Sequence, residues 1–270
     1  MASIINNVGA LNAKRNLANS QSGLNKTINR LSTGLRINRA DDDAAGLQIS
    51  NNLRADIRVL NQGRRNANDA LGRLAVMDLT SEEATNLLTR AAELAEQAAS
   101  GTTSSAGRVA LNSEFTEIKS ALDALDSDTK FDGDALFGSD FTVRVGEETS
   151  ESVTVSSFNI ASDATGIAID SDDLLSSTNA DTALGNILSA IETVSSNRGA
   201  IGAKSARLQT IVNSLGVRSE NITAAESQIR DADVASEVVN LTKFQILSQS
   251  GVSALAQANQ SAQGVLSLLG

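Results

Sequence analysis

The 270-residue chain contains neither cysteine nor histidine, which excludes disulfides, thiolate metal sites and catalytic triads with a histidine base. Its hydrophobic content is 41%, but aromatics make up only 2% and proline is absent, so the composition favours packed aliphatic helices. The net charge of −10 argues against nucleic acid as a partner. Nucleotide-binding glycine motifs are also missing, and we expect neither an enzyme nor a cofactor site.

The first predicted element is an amphipathic helix over residues 1–35. Its apolar positions step by three and four residues, at Leu17, Leu24, Ile28, Leu31 and Leu35. A basic amphipathic helix is compatible with a membrane surface, but packing against other helices is the interpretation we favour. The N-terminus lacks the apolar core of a signal peptide, and no run reaches the length of a transmembrane helix. We therefore expect a soluble protein that is cytoplasmic or exported without a cleaved signal.

Charge and glycine are concentrated in RLSTGLRINRADDDAAG, residues 30–46, where the first helix ends and the next begins. Gly34 permits the backbone to bend here. The other members of this joint are the charged residues Arg36, Arg39, Asp41, Asp42 and Asp43. Aspartates at a helix start accept hydrogen bonds from free N–H groups, which predicts capping. A divalent-cation site is the weaker alternative, because consecutive side chains there point in different directions.

Heptad seams predict helices over much of the remaining chain. They run through residues 53–74, 111–125 and 187–222, and only Arg64 and Arg198 interrupt them with a charge. These two arginines are expected where the bundle opens or meets a neighbour, or else to extend their stems to the surface. Thr80–Glu83 has the pattern of a capping box that starts a helix reaching Ala99, and Gly101–Gly107 predicts a turn.

The helical pattern stops after residue 125. Alternating apolar residues on either side of Gly146–Glu151 predict one β-hairpin, and Gly166–Ile169 is expected to add a short strand. Residues 140–181 are acidic and rich in Ser and Thr, which indicates a solvated surface. The region is too small for an independent domain.

A second amphipathic helix is predicted over residues 234–269, after the joint sequence IRDADVAS in which Asp231 or Asp233 is the expected cap. Its apolar positions include Val238, Leu241, Phe244, Leu247, Leu255, Leu266 and Leu269. An isolated pair of terminal helices would leave apolar stripes in water. Copies of the same helices in other subunits are the expected partners.

Long strings at both ends resemble bacterial flagellins. They are SQSGLNKTINRLSTGLRINRADDDAAGLQIS (residues 20–50), RRNANDALGRL (64–74) and SQIRDADVASEVVNLTKFQILSQSGVSALAQANQSAQGVLSLLG (227–270). With the helices between them, the resemblance covers roughly residues 1–138 and 182–270. Strings of this length are highly specific.

The resemblance implies a mainly α fold. The terminal segments, residues 1–45 and 228–270, would pair as an inner coiled-coil domain. Residues 46–227 would form an outer rod-like helical domain that includes a small β-hairpin region, 138–181, in place of larger outer domains. The joint residues Gly34 to Asp43, with Asp231 and Asp233, would link the two, and Arg36 and Arg39 would reach carboxylates of the same or a neighbouring subunit. The implied function is self-assembly into the helical tube of the swimming filament.

The resemblance also implies partners. It implies export through the flagellar type III apparatus, a chaperone on the C-terminal segment, hook-associated and cap proteins, and an extracellular filament without membrane insertion. LLTRAAELAEQAAS, residues 87–100, resembles the motif bound by the vertebrate flagellin-sensing Toll-like receptor. The matching positions are Arg90, Glu93, Leu94 and Gln97, with Glu114 on the following helix. Ala92 and Glu96 depart from the usual motif, which predicts weaker binding, and subunit packing is the alternative role.

Two further classes of protein are weighed against the filament subunit. A hook–filament junction protein shares the terminal helices but usually matches flagellin less completely. A translocator or tip protein of a virulence type III system would carry an apolar membrane hairpin, which this chain lacks. The C-terminal string favours the filament subunit.

Overall fold

The computed structural model describes residues 7–146, 151–163 and 165–267, with the side chains of 262 and 264–267 outside the description. The described chain is mainly helical, as predicted. Its five helices are α1 (Val8–Thr33), α2 (Ala44–Ala99), α3 (Ser105–Asp128), α4 (Ser177–Arg230) and α5 (Val234–Ser267). Two compact units are distinguished: residues 1–56 with 221–270, and residues 57–220. In the first, α1 pairs with α5; in the second, α3 and parts of α2 and α4 form a bundle.

The bundle core of the second unit follows heptads without interruption. Along α4 the buried residues Ile187, Val194, Ile201, Leu208 and Leu215 recur every seven positions. Along α2, Leu60, Ala67 and Leu74 are buried as the seam predicted, whereas the second buried line runs through small residues such as Ala70 rather than through Arg64 or Leu71. The apolar pattern thus predicted one buried line of α2 correctly. It predicted the other line one residue away from the positions that are buried in the structure.

The predicted helix start at Thr80–Glu83 is wrong, because α2 runs without a break from Ala44 to Ala99. The hydroxyl of Thr80 donates to the carbonyl of Val76 (3.0 Å), and that of Ser81 donates to the carbonyl of Met77 (2.7 Å). Both hydroxyls therefore hydrogen-bond to carbonyls of the preceding turn within a continuous helix, and neither caps a new one.

Two small antiparallel hairpins follow α3. Strands β1 (Lys130–Phe131) and β2 (Asp134–Ala135) are joined by Asp132 and Gly133, both at positive φ. This hairpin was not among the predicted elements, although Asp-Gly is a known turn signal. Strands β3 (Phe141–Arg144) and β4 (Ser152–Val155) form the predicted hairpin, with Val143 opposite Val153. Its predicted turn falls largely on residues 147–150, outside the described residues.

The short strand expected at Gly166–Ile169 is absent from this described segment. Ala168 has a positive φ of 55°, and the backbone N–H groups of Ile167 and Ile169 donate to carbonyls of Ala161 and Ser162 within a compact loop. The expected solvated surface is also wrong for the apolar side chains here, since Ile160, Ile167, Ile169 and Leu174 are buried. Burying these residues against the helices removes apolar surface from water, and the acidic residues take the outside.

Side chains of α3 hold this irregular segment by its backbone. Asp126 accepts from the N–H of Ile160 and Asp123 from the N–H of Ser162, each at 2.8 Å. Asn112 accepts from the N–H of Leu174 at 2.8 Å. The Lys119 ammonium donates to the carbonyls of residues 170 and 172 at 2.7 and 3.0 Å. One helix face thus satisfies backbone groups that no strand partner satisfies.

Candidate functional site

The terminal helices α1 and α5 pack antiparallel along a narrow seam. At one end the Asn7 amide donates to the carbonyl of Ala258 (3.0 Å), and at the other Arg30 pairs with Glu237 (3.1 Å). The predicted residues that lie partly buried in the seam are Leu17, Leu24, Leu31, Leu241, Phe244 and Leu255. Within the described parts of both helices only Thr27 and Glu237 are fully buried, so the pair has little core of its own.

Four predicted assembly residues within the described part of the chain do not lie in this seam. Ile28, Val238 and Leu247 are each more than 40% exposed, because their neighbours Thr27, Glu237 and Ser248 occupy the seam positions that strict apolar counting passes over. Leu35 lies beyond the end of α1, in a β-bridge with Asp231. Leu266 lies in α5 but its side chain is outside the described set, and Leu269 lies outside the described residues.

Many large apolar side chains of this pair lie outside the seam. Among the described side chains of α1 and α5, nine such residues are 42–68% exposed: Val8, Leu11, Ile28, Val234, Val238, Val239, Ile246, Leu247 and Val252. We call these nine residues the outer stripe. Isolated exposed apolar side chains are ordinary, but a set this dense along two paired helices is typical of an interaction surface.

The joint is built from backbone pairing between its two chain segments. Gly34 ends α1 in the left-handed region, at φ 71°, and donates its N–H to the carbonyl of Arg30. The N–H of Arg36 donates to the carbonyl of Arg230 (2.7 Å), and the N–H of Ala232 donates to the carbonyl of Gly34 (2.9 Å). The segment that connects α1 with α2 and the segment that connects α4 with α5 are therefore held together by backbone hydrogen bonds.

The three consecutive aspartates have three different environments. Asp43 caps α2, since its Oδ1 accepts from the N–H of Gly46 at 2.9 Å. Asp42 instead accepts from the N–H groups of Asn38 and Arg39 and pairs with the Lys26 ammonium at 2.6 Å. Above all the Lys26 hydrogen bond lowers the pKa of Asp42 below its ordinary value. Asp41 is exposed, so the predicted capping role belongs to one aspartate only.

In the second segment of the joint, residues 229–236, the two aspartates also have different roles. Asp233 caps α5, accepting from the N–H groups of Ala235 and Ser236 at 3.0 and 3.5 Å, while Asp231 accepts from the hydroxyl of Ser227. The guanidinium of Arg36 donates to the carbonyl of Ile229 at 2.6 Å rather than to a carboxylate. Arg39 has an exposed side chain, and its pairing with a neighbouring subunit stays a prediction.

The residues proposed for receptor contact lie on α2 and α3. Arg90 pairs with Glu93 at 2.9 Å and with Glu114 at 2.8 Å, and the Glu114 hydrogen bond contributes most to raising the Arg90 pKa. All three side chains are about half exposed, and Gln97 is exposed too. Leu94, by contrast, is buried in the bundle core and does not face solvent.

In the part of the chain that the structure describes, no cluster of three or more carboxylate side chains is arranged to hold a metal ion. Over the same residues, no helix combines the length and the apolar character that crossing a bilayer requires.

Comparison with known proteins identifies the family. Residues 4–142 match the bacterial flagellin N-terminal helical region, and residues 184–269 match the bacterial flagellin C-terminal helical region. A flagellin of Halalkalibacterium halodurans is 38% identical to this chain, over 98% of this chain and 99% of the relative. The Bacillus subtilis flagellin is 35% identical, and the 33 kDa core protein of the Treponema phagedenis flagellar filament is 37% identical, each with the same coverage.

A solved structure agrees in fold. The crystal structure of Bacillus cereus flagellin superposes with a TM-score of 0.50 at 23% identity, over 60% of this chain and 94% of that one. Two helical regions that leave only residues 143–183 between them confirm the expected short form without large outer domains. The junction-protein and translocator alternatives are thereby set aside. The chain belongs to the bacterial flagellins, and is a structural subunit of the flagellar filament and not an enzyme.

Proposed function

We propose that the chain polymerises through its terminal helices, whose outer stripe is covered by the terminal helices of neighbouring copies. The observation that carries this proposal is the outer stripe itself, nine large apolar side chains exposed along two helices with almost no core of their own. Covering such side chains is favourable by about 25 cal/mol per Å² of apolar surface. A heterologous contact of this kind, repeated by rotation and rise, builds a helical filament.

The proposed domain division keeps the boundaries expected from the sequence. Residues 1–45 and 228–270 would form the inner domain, and residues 46–227 the outer rod with the hairpin region 138–181. The compact units, which divide at residues 56/57 and 220/221, support a discontinuous inner part made from both ends of the chain. The joint residues Gly34, Arg36, Asp42, Asp43 and Asp233 would link the inner domain to the rod.

Electron microscopy of seeded polymerisation tests the proposal. The purified chain is incubated with sonicated filament seeds, beside a variant that lacks residues 234–270 and a triple variant Val239→Asn, Ile246→Asn and Val252→Asn. These three residues are exposed, so the triple variant leaves the seam between α1 and α5 intact. The matched control replaces three exposed polar residues of the same helix, Gln245→Asn, Ser253→Asn and Gln257→Asn.

Filaments from the wild type and the polar control, with none from the truncation or the triple variant, are expected. Normal elongation by the triple variant would contradict assembly through the outer stripe.

Other partners are proposed from the same surface and from the resemblance. An export chaperone would cover the apolar face of α5, since its exposed valines and isoleucine would otherwise promote premature assembly. Hook-associated and cap proteins would meet the same terminal helices at the two ends of the filament. Export by the flagellar type III route would place the filament outside the cell. Pull-down of the chain by the chaperone, lost in the triple variant, tests the first of these.

Recognition by the vertebrate flagellin-sensing Toll-like receptor is a second proposal. The exposed network of Arg90, Glu93 and Glu114 offers charge-assisted hydrogen bonds on one face, and Gln97 adds an exposed amide. Leu94 would contribute only by packing beneath that face. Monomer binding to the receptor ectodomain should fall on Arg90→Ala but not on Arg64→Ala, an exposed arginine elsewhere on α2. Equal binding by both variants would contradict the proposal.

A further inference from the structure

Two glycines lie in the seam between α1 and α5, and each faces a large side chain of the opposite helix. A Cβ atom built on Gly23 would stand 2.6 Å from Cε1 and Cζ of Phe244. One built on Gly251 would stand 3.2 Å from Cδ1 of Leu17. The first distance is shorter than any real carbon contact, and the second is close to the limit. Each helix thus supplies one large side chain and one glycine that receives it.

These contacts belong to a single antiparallel register. Five pairs follow one another in opposite order along the two helices: Asn7 with Ala258, Leu17 with Gly251, Gln21 with Ser248, Gly23 with Phe244, and Arg30 with Glu237. The rest of the seam contributes less specificity, because its leucines, such as Leu24 and Leu255, are interspersed with small and polar residues such as Ser20 and Thr27. Apolar patterning alone would tolerate several registers.

A slip of one heptad removes the space that Phe244 needs. It would set the ring opposite Asn16 or Arg30, and neither position is a glycine. It would also separate Arg30 from Glu237, whose side chain is only 10% exposed. That ion pair leaves Arg30 Nε and Glu237 Oε2 buried without hydrogen-bond partners. Such a pair adds little stability, but breaking it is costly, which is the behaviour of a register-specifying group.

We infer that Leu17, Gly23, Phe244 and Gly251, with the Arg30–Glu237 pair, set the register of the terminal helices. Their role in assembly is that of positioning residues. They decide which exposed apolar residues of α1 stand beside which of α5, and so compose the outer stripe that a neighbouring copy meets. The inference rests on the proposed assembly through that stripe.

Cysteine cross-linking reads the register directly, because the chain has no cysteine of its own. The in-register pair is Gln21→Cys with Ser248→Cys, whose parent side chains approach to 3.4 Å. The slipped control is Lys14→Cys with Ser248→Cys, one heptad away at an exposed position. In filaments of the full chain under mild oxidation, the first pair should form an intrachain disulfide and the second should not.

Substitution at the glycine tests whether it sets that register. Gly23→Ala should raise the critical concentration for assembly by about tenfold, a typical consequence of overpacking by one methyl group. It should also lower the in-register cross-link. Adding Phe244→Leu should restore both, because the shorter side chain frees the space that the new methyl group takes. Gly9→Ala is the matched control, since it adds the same methyl group to α1 with only Asn7 Oδ1 nearby, at 3.4 Å.

Three results would overturn the inference: Gly23→Ala assembling like the wild type, the double variant remaining as defective as Gly23→Ala, or equal cross-linking of both cysteine pairs in wild-type filaments. These failures differ from failure of the proposed function. If the chain without substitutions forms no filaments on seeds, assembly through the outer stripe fails and the register inference fails with it.

Discussion

At the scale of single residues, the joint shows how adjacent carboxylates acquire separate roles. Asp43 holds the first turn of α2, while Asp42 is oriented by two backbone N–H groups toward the Lys26 ammonium. Because the pKa of Asp42 is lowered in the folded chain, its ionised form stabilises the joint. That contribution is fully present above the ordinary carboxyl pKa of about 4 and is lost as the pH falls through the folded value.

Asp42→Asn should therefore weaken the joint at neutral pH. The expected loss is only about 1 kcal/mol, because Lys26 is half exposed and solvent screens the ion pair. Hydrogen exchange of the amides of Asn38 and Arg39, corrected for its intrinsic pH dependence, measures this. The wild type and the variant should converge once the pH lies below the folded pKa. Exposed Asp41→Asn is the control and should match the wild type throughout. A difference that persisted in acid would contradict the assignment.

The two arginines that interrupt the heptad seams also have different environments. Arg198 on α4 pairs with Asp78 (2.9 Å) and Glu82 (3.1 Å) of α2, and Asp78 is the main cause of its raised pKa, whereas Arg64 is exposed. Arg198→Ala should lower the free energy of unfolding of the rod by about 1 kcal/mol, and Arg64→Ala by less than about 0.5 kcal/mol. Urea unfolding followed by circular dichroism compares them. Equal losses would show that neither carboxylate of α2 contributes.

At the scale of elements, the segment that follows β4 depends on α3 for its backbone hydrogen bonds. Asp126→Ala would leave the N–H of buried Ile160 without its acceptor, which costs about 1–2 kcal/mol in unfolding free energy. Asp126→Asn keeps an acceptor oxygen and should recover most of the loss. Exposed Asp128→Ala, two residues along the same helix, is the control. Urea unfolding in which Asp126→Ala matches this control would contradict the role assigned to α3.

Periodic sequence features predicted the elements, and the exceptions have physical causes. Heptad spacing predicted the buried residues of α4 and one buried line of α2. Alternation of apolar and polar residues predicted β3 and β4, because both patterns are local features of the sequence. The false helix start at Thr80 arose because hydroxyls that cap a helix also bond within one. The seam of α1 was misplaced at Ile28 because its seam positions are taken by the buried Thr27 and by Gly23, which faces Phe244 of α5, and apolar periodicity does not detect such residues. The Arg30–Glu237 pair depends on that same tertiary contact, and the Lys26–Asp42 pair depends on how the joint folds against α1.

At the scale of the whole molecule, the two compact units differ in what stabilises them. Among the described residues of the first unit, Ile37 is the only large apolar side chain that is fully buried. The second unit buries a continuous series that includes Leu60, Phe115, Leu122 and Leu208. Since helices without a packed face are marginal in water, we expect the terminal pair to need a neighbouring copy for stability and the second unit to be stable without one.

Hydrogen exchange followed by mass spectrometry, on monomer and filament, should therefore separate the two units. In the monomer, peptides from α1 and α5 should exchange within seconds, while peptides around Leu122 and Leu208 stay protected for hours. In the filament the terminal peptides should become protected as well, because assembly covers the outer stripe. Peptides of α3 serve as the internal control and should change little. Terminal peptides protected to the same degree in both states would mean that the pair is stable alone, and that coverage of the outer stripe is not what orders the ends of the chain.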